Sequence, residues 1–130
     1  MGAADDVLAV VDAFGEALHA RDLEASLALV DDDPDLTIIA SEGVKAHRGP
    51  ADVRAFLERI YSGPHTYGWR WRDRWAQVHD GTAWFVAVGN ETVEEVHAET
   101  LIVPYCLTGV AFLTAGRWRL RLLHASEAAT

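Results

Sequence analysis

One cysteine stands in 130 residues. Cys106 has no partner for an internal disulfide, which excludes a disulfide-stapled scaffold and agrees with a reducing compartment. No apolar run approaches the ~18–20 residues of a membrane span. The opening MGAADDVLAV carries acid where a secretory leader carries Lys or Arg, so a cytoplasmic protein with no membrane partner is expected. Cations are in deficit: 11 Lys and Arg face 20 Asp and Glu, a formal charge of -9. Phosphate recognition needs dense Lys and Arg, so a general nucleic-acid binder is excluded. Glycine-rich phosphate loops are missing. The six histidines show no i, i+4 pair with a third ligand, so neither a metal nor another cofactor is expected.

What is present is an ordinary globular composition, half hydrophobic and 24% charged. A single domain over residues 1–130 follows, able to bury roughly two-thirds of the surface its unfolded chain exposes. Repeats, linkers and low-complexity segments are absent. Six of the basic residues (Arg70, Arg72, Arg74, Arg117, Arg119, Arg121) fall in two strand-like segments, which predicts a basic outer sheet face that is solvated, dimerising or anion-binding.

Asp5 or Asp6 can cap a first helix whose apolar residues Val7, Val10, Val11, Phe14, Ala17 and Leu18 share one stripe. Asp22 can cap a second, with Leu23, Ser26, Leu27 and Val30 on one side. Asp31-Asp32-Asp33-Pro34-Asp35 stops it. This run matches a calcium loop in composition only, lacking its alternating ligands, central glycine and closing Glu, and reads as a solvated helix end. A short strand at 36–39 and a polar loop at 41–48 follow. Gly49-Pro50 opens a third helix, proline being tolerated where its missing N–H is unpaired anyway.

Residues 66–79 alternate strictly, with Trp69, Trp71, Asp73 and Trp75 on one face and Arg70, Arg72 and Arg74 on the other. Asp80-Gly81 turns into a strand at 82–93. The last quarter, residues 99–126, reads as a hairpin around Thr114-Ala115-Gly116. A three-residue loop ending in glycine pairs Leu113 with Arg117. It also sets Phe112 opposite Trp118, Val110 opposite Leu120, Thr108 opposite Leu122 and Cys106 opposite His124, all on the core face. A two-residue turn would instead set Leu107 opposite His124. Helices followed by a long antiparallel meander make the class α+β.

The order helix, helix, short strand, helix, four long strands resembles the nuclear transport factor 2-like (NTF2-like) fold. Ala83-Trp84-Phe85 with Gly89, Leu107-Thr108-Gly109-Val110, Gly116-Arg117-Trp118-Arg119 and His124-Ala125-Ser126 resemble the SnoaL-like domains within it. The resemblance covers the whole chain and implies a cone of strongly curved antiparallel sheet closed by three N-terminal helices. It also implies a homodimer. The superfamily includes polyketide cyclases, ketosteroid isomerases, epoxide hydrolases and non-catalytic binding or association domains. Cys106 departs from the basic residue often found at its position, which removes an anion contact there.

Asp73 shares its strand face with three tryptophans. If that face is inward it is a plausible general base of the ketosteroid-isomerase type; otherwise it is held by an indole N–H or an arginine, or lies at an open rim. His124 is the second candidate for proton transfer, or a latch closing the cone. Trp69, Trp71 and Trp75 can line a pocket for a small hydrophobic, cyclic ligand or fill the core. Cys106, Thr108 and Ser126 stand beside His124, with Thr108 or an indole N–H available to an enolate-like oxygen. Glu91 offers a second carboxylate, inward with Phe85, Ala87 and Gly89 or exposed at the strand end. The expected function is cofactor-free acid-base chemistry on such a ligand; the alternative is a non-catalytic ligand-binding or association domain.

Overall fold

The computed structural model describes residues 2–41 and 45–128. Among them three helices, α1 (Ala3–Ala20), α2 (Leu23–Ala28) and α3 (Pro50–Tyr61), lie against one sheet. Its strands are β1 (Thr37–Ile39), β2 (Ala46–Arg48), β3 (His65–His79), β4 (Thr82–Glu95), β5 (Leu101–Thr114) and β6 (Arg117–Glu127), ordered β2-β1-β6-β5-β4-β3. β3 to β6 form an antiparallel meander, and β1 joins β6 in parallel. This is the expected α+β architecture.

The α1 stripe Val7, Val11, Phe14, Ala17 and Leu18 is buried, as its helical spacing requires. The helix starts earlier than its aspartates suggest. Gly2 is the N-cap, and Asp5 accepts from the Gly2 N–H at 3.4 Å, its charge placed where the helix dipole favours an anion. Asp22 caps α2 as expected, accepting from the Ala25 N–H at 3.0 Å. Arg21 takes a left-handed backbone at the end of α1. Its guanidinium donates to the carbonyls of Tyr61 and Gly63 at 3.1 and 2.9 Å, fastening α1 to the end of α3. The stretch read as a polar loop at 41–48 contains β2, whose central His47 is 5% exposed and stacks on Phe56 at 4.0 Å.

Two insertions in the sheet decide which residues face the helices. Between Trp71 and Asp73 the β3–β4 ladder slips by one: Trp71 lies opposite Gly89, Asp73 opposite Val88, and Arg72 is the extra residue. The two backbones come so close here that a Cβ on Gly89 would fall 2.2 Å from the Arg70 carbonyl oxygen. Before the bulge Trp69 and Trp71 pack on the core; after it Ala76 and Val78 do, and Arg74 pairs with Asp12 of α1. Asp73 and Trp75 are therefore outside, because one inserted residue inverts a period-two pattern.

The final hairpin turns through two residues rather than three. Ala115 and Gly116 both adopt positive φ, 52° and 77°, the turn whose twist suits a hairpin, and Thr114 pairs with Arg117. A second bulge follows: Ala111 faces Leu120 and Val110 faces Leu122, leaving Arg121 over, so that Thr108 comes opposite His124 and Cys106 opposite Ser126. The buried parity on β5 is Tyr105, Leu107, Gly109 and Ala111, facing the helices with Leu120, Leu123 and Ala125 of β6. Cys106, Thr108 and Val110, expected inside, are outside, because the helices seat on the small side chains of the other parity.

The expected basic face is dispersed by the same geometry. Arg121 donates through Nε and Nη2 to Asp31 at 2.8 and 2.7 Å and stacks over Phe112 at 4.1 Å. Asp31 is 6% exposed, so the aspartate run contains a buried, paired carboxylate rather than only a solvated helix end.

Candidate functional site

Between the helices and the inner sheet face lies a cavity of ≈ 70 Å³. Most of its wall is apolar, from Phe14 and Leu18 of α1, Phe56 and Leu57 of α3, and Leu107 and Leu123 of the sheet. The polar part is Ser41, Tyr67, Trp69, Glu91 and Tyr105. Lysine, arginine and histidine are absent from the described lining.

Glu91 enters because β4 alternates without interruption from Phe85 through Ala87 and Gly89. It lies opposite Trp69 and is 6% exposed. Tyr105, on the same parity as Leu107, is 9% exposed and faces Glu91 and Ser41 through its hydroxyl. Burial, then the Glu91 charge, pushes the phenol above its ordinary range; the Ser41 hydroxyl works against them and the Glu127 charge with them. Tyr105 therefore keeps its proton at neutral pH. Trp69 stacks on Phe14 at 5.8 Å, and its indole Nε1 is buried with no hydrogen-bond partner among the described residues. A buried N–H donor without an acceptor is costly, and the Trp69 side chain lines both this cavity and the groove between α1 and β3.

Chemically, the arrangement offers one carboxylate able to exchange a proton, a phenol beside it, and an indole donor suited to an oxygen acceptor. Among the described residues no group of three His, Cys, Asp or Glu side chains is placed to hold a metal ion.

Of the residues singled out from the sequence, Trp69 and Glu91 reach this cavity. Asp73 is exposed on the outer face just past the bulge. His124 is also exposed there, its carbonyl accepting from the Thr108 hydroxyl at 3.4 Å. Asp73 and His124 share no site with Glu91. Trp71 lines a groove between α1 and β3 with Asp12, His19 and Glu94, and Trp75 is 41% exposed. Cys106 and Ser126 meet in an outer recess with Arg72 and Asn90. Sequence reasoning missed Tyr105, Tyr67 and Ser41. A signal for Tyr105 was available: it shares parity with Gly109 and Ala111, the small residues a packed face needs.

Similar proteins share this architecture. A crystal structure of a candidate dehydratase of the NTF2-like family from Streptomyces avermitilis superposes with a TM-score of 0.86 at 19% identity, covering 98% of this chain and 96% of that one. A candidate calcium/calmodulin-dependent protein kinase type II association domain from Thiobacillus denitrificans ATCC 25259 gives 0.75 at 22%, covering 94% of each chain. A ketosteroid isomerase-like protein from Erwinia carotovora atroseptica SCRI1043 gives 0.71 at 17%, covering 97% and 96%. At these identities the likeness is one of fold. No curated protein matches the chain. Among the described residues no helix is long and apolar enough to cross a membrane. The family model described as the SnoaL-like domain matches residues 7–130, and the chain belongs to that family, with the NTF2-like fold.

Proposed function

We propose that the cone is a cytoplasmic small-molecule site at which Glu91 exchanges a proton with a bound carbonyl compound without a cofactor. The observation that carries this reading is a carboxylate 6% exposed on the wall of an apolar cavity, beside a tryptophan whose indole N–H has no partner among the described residues. Glu91 takes a proton from the carbon next to the carbonyl, and the Trp69 N–H receives the developing enolate oxygen. The role first assigned to Asp73 or His124 passes to Glu91, since only Glu91 of the three lines the cavity.

Size restricts the ligand. At ≈ 70 Å³ the cavity is about half the ~150 Å³ that admits benzene. Ligands of four or five heavy atoms fit with little rearrangement; a full ring needs side chains at the mouth to move. A series from acetone to cyclohexanone, in D₂O, tests the reading by NMR. Wild type should exchange the α-hydrogens, and Glu91→Gln should lose at least about 100-fold in rate, the usual contribution of a positioned base. Equal exchange by both proteins would remove Glu91 from the chemistry.

A second reading concerns association. Trp75 and Trp84, 41% and 49% exposed, are diagonal neighbours on the outer sheet face, since Trp75 lies opposite Val86 and Gln77 opposite Trp84. Large exposed aromatics favour burial against a partner, and a second copy of the chain is proposed to cover them. Trp84→Glu should then sediment as a monomer where wild type is a dimer; an unchanged dimer refutes that face.

A further inference from the structure

The cavity carboxylate has a polar route to the surface that its proton-exchange role does not by itself require. Along Glu91, Tyr105, Ser41 and Glu127 exposure rises step by step. Glu91 is 6% and Tyr105 9% exposed, Ser41 is half-buried and Glu127 is exposed. The links come from three places in the chain. Tyr105 of β5 faces both Glu91 of β4 and Ser41, which follows β1, and these three line one cavity. Ser41 Oγ donates to Glu127 Oε1 at 2.8 Å. Tyr105 and Glu127 are themselves cross-strand partners, so the sheet register holds the two ends of the route together. The Tyr105 ring also packs against aromatic neighbours, Trp69 at 6.4 Å and Trp71 at 6.3 Å.

We propose that Tyr105 and Ser41 form a proton relay that returns the proton of Glu91 to solvent through Glu127. This rests on the reading of Glu91 as the proton-exchanging group. In the outward step Glu91, protonated by the ligand, gives its proton to the Tyr105 oxygen as the Tyr105 proton passes to Ser41 Oγ and the Ser41 proton passes to Glu127. Three O–H bonds break and three form; one proton leaves Glu91 and one arrives at Glu127. The Ser41 hydroxyl already points in the outward sense. The hops are concerted, because a buried phenol resists ionisation and no tyrosinate needs to form. Tyr105 and Ser41 are proton carriers, and Glu127 is the terminal exchanger in water.

The test follows the carboxylic C=O stretch of Glu91 by time-resolved infrared spectroscopy after a photochemical proton release, the band being assigned by its loss in Glu91→Gln. Wild type and Ser41→Thr, which keeps the hydroxyl, should protonate at the same rate. Tyr105→Phe, Ser41→Ala and Glu127→Gln should each be slower by about tenfold or more, a modest share of what a positioned proton-transfer group contributes. A merely structural role for Ser41 would shift the band or the melting temperature without slowing its rise. A band sensitive to Glu91→Gln that rises equally fast in every variant overturns the relay alone. Absence of such a band at any pH overturns Glu91 as the proton-exchanging group, and the relay with it.

Discussion

Arg121 places two N–H groups on one carboxylate oxygen of Asp31, at 2.8 and 2.7 Å, and does so from the residue that the β5–β6 bulge leaves unpaired. The backbone follows the same route: the Asp31 N–H donates to the Leu120 carbonyl at 2.8 Å, and the Leu120 N–H donates to the Leu29 carbonyl at 2.9 Å. The segment after α2 is thus sewn to β6 by both main chain and side chain.

Asp31→Asn should destabilise the protein by roughly 2–4 kcal/mol at neutral pH, less than a fully buried pair because Arg121 keeps 25% of its side chain exposed. Burial alone would raise the Asp31 carboxyl, but Arg121 and the Asp32 and Asp33 N–H groups more than offset it, and it lies below its ordinary range. The contribution is therefore complete above pH about 4 and is lost as pH falls through the lowered folded-state value. Urea titrations of both proteins should show the gap narrowing only in the acid limb. A gap unchanged down to pH 2 would contradict this.

Gly89→Ala should cost about 3 kcal/mol or more, since its Cβ would lie 2.2 Å from a backbone oxygen and relief requires the bulge to move. Calorimetry gives the number. A loss below about 1 kcal/mol would show that the bulge relaxes freely.

Ala115 holds φ 52° in the final turn, a conformation that costs a non-glycine residue about 1–2 kcal/mol. Ala115→Asn should recover about 0.5–1 kcal/mol and raise the melting temperature by about 2–4 °C. A fall in melting temperature would argue against the two-residue turn.

Asp73→Asn should alter stability by no more than about 0.5 kcal/mol, as surface substitutions usually do. It should leave the ketone exchange described above at the wild-type rate, in contrast to Glu91→Gln. A loss of exchange in Asp73→Asn would reopen the assignment of the base.

The order of elements was legible because each carries a local cause. The α1 stripe, the Asp22 cap and Pro50 at the start of α3 are contained within a few residues, and the long strands announce themselves by alternation. The family resemblance was legible for the same reason, through short motifs at strand positions. The interior was not. Trp71 and Asp73 read as same-face neighbours, and nothing local announces that Arg72 will be skipped; the slip depends on Gly89, seventeen positions along the sequence. β2 was hidden because three residues need the partner Thr37–Ile39 to become a strand. Glu91 was visible as a candidate, while Tyr105 and Ser41 meet only once β5 and the end of β1 are brought together.

The two bulges make the sheet a pair of panels set in opposite phase. On either side of Arg72 or Arg121 the same rule of alternation sends side chains to opposite worlds, one aromatic and dry, the other open to water. A chain built this way exchanges what it shows for what it hides when a skipped residue is taken into the ladder. Taking Arg72 into the ladder opposite Val88 would send Asp73 and Trp75 indoors and evict Arg74, Ala76 and Val78, with no side chain rewritten, whereas deleting Arg72 would leave Trp71 opposite Gly89 and Asp73 opposite Val88 as they are. In such a sheet the number of residues set against each partner is as much a determinant of chemistry as their identity.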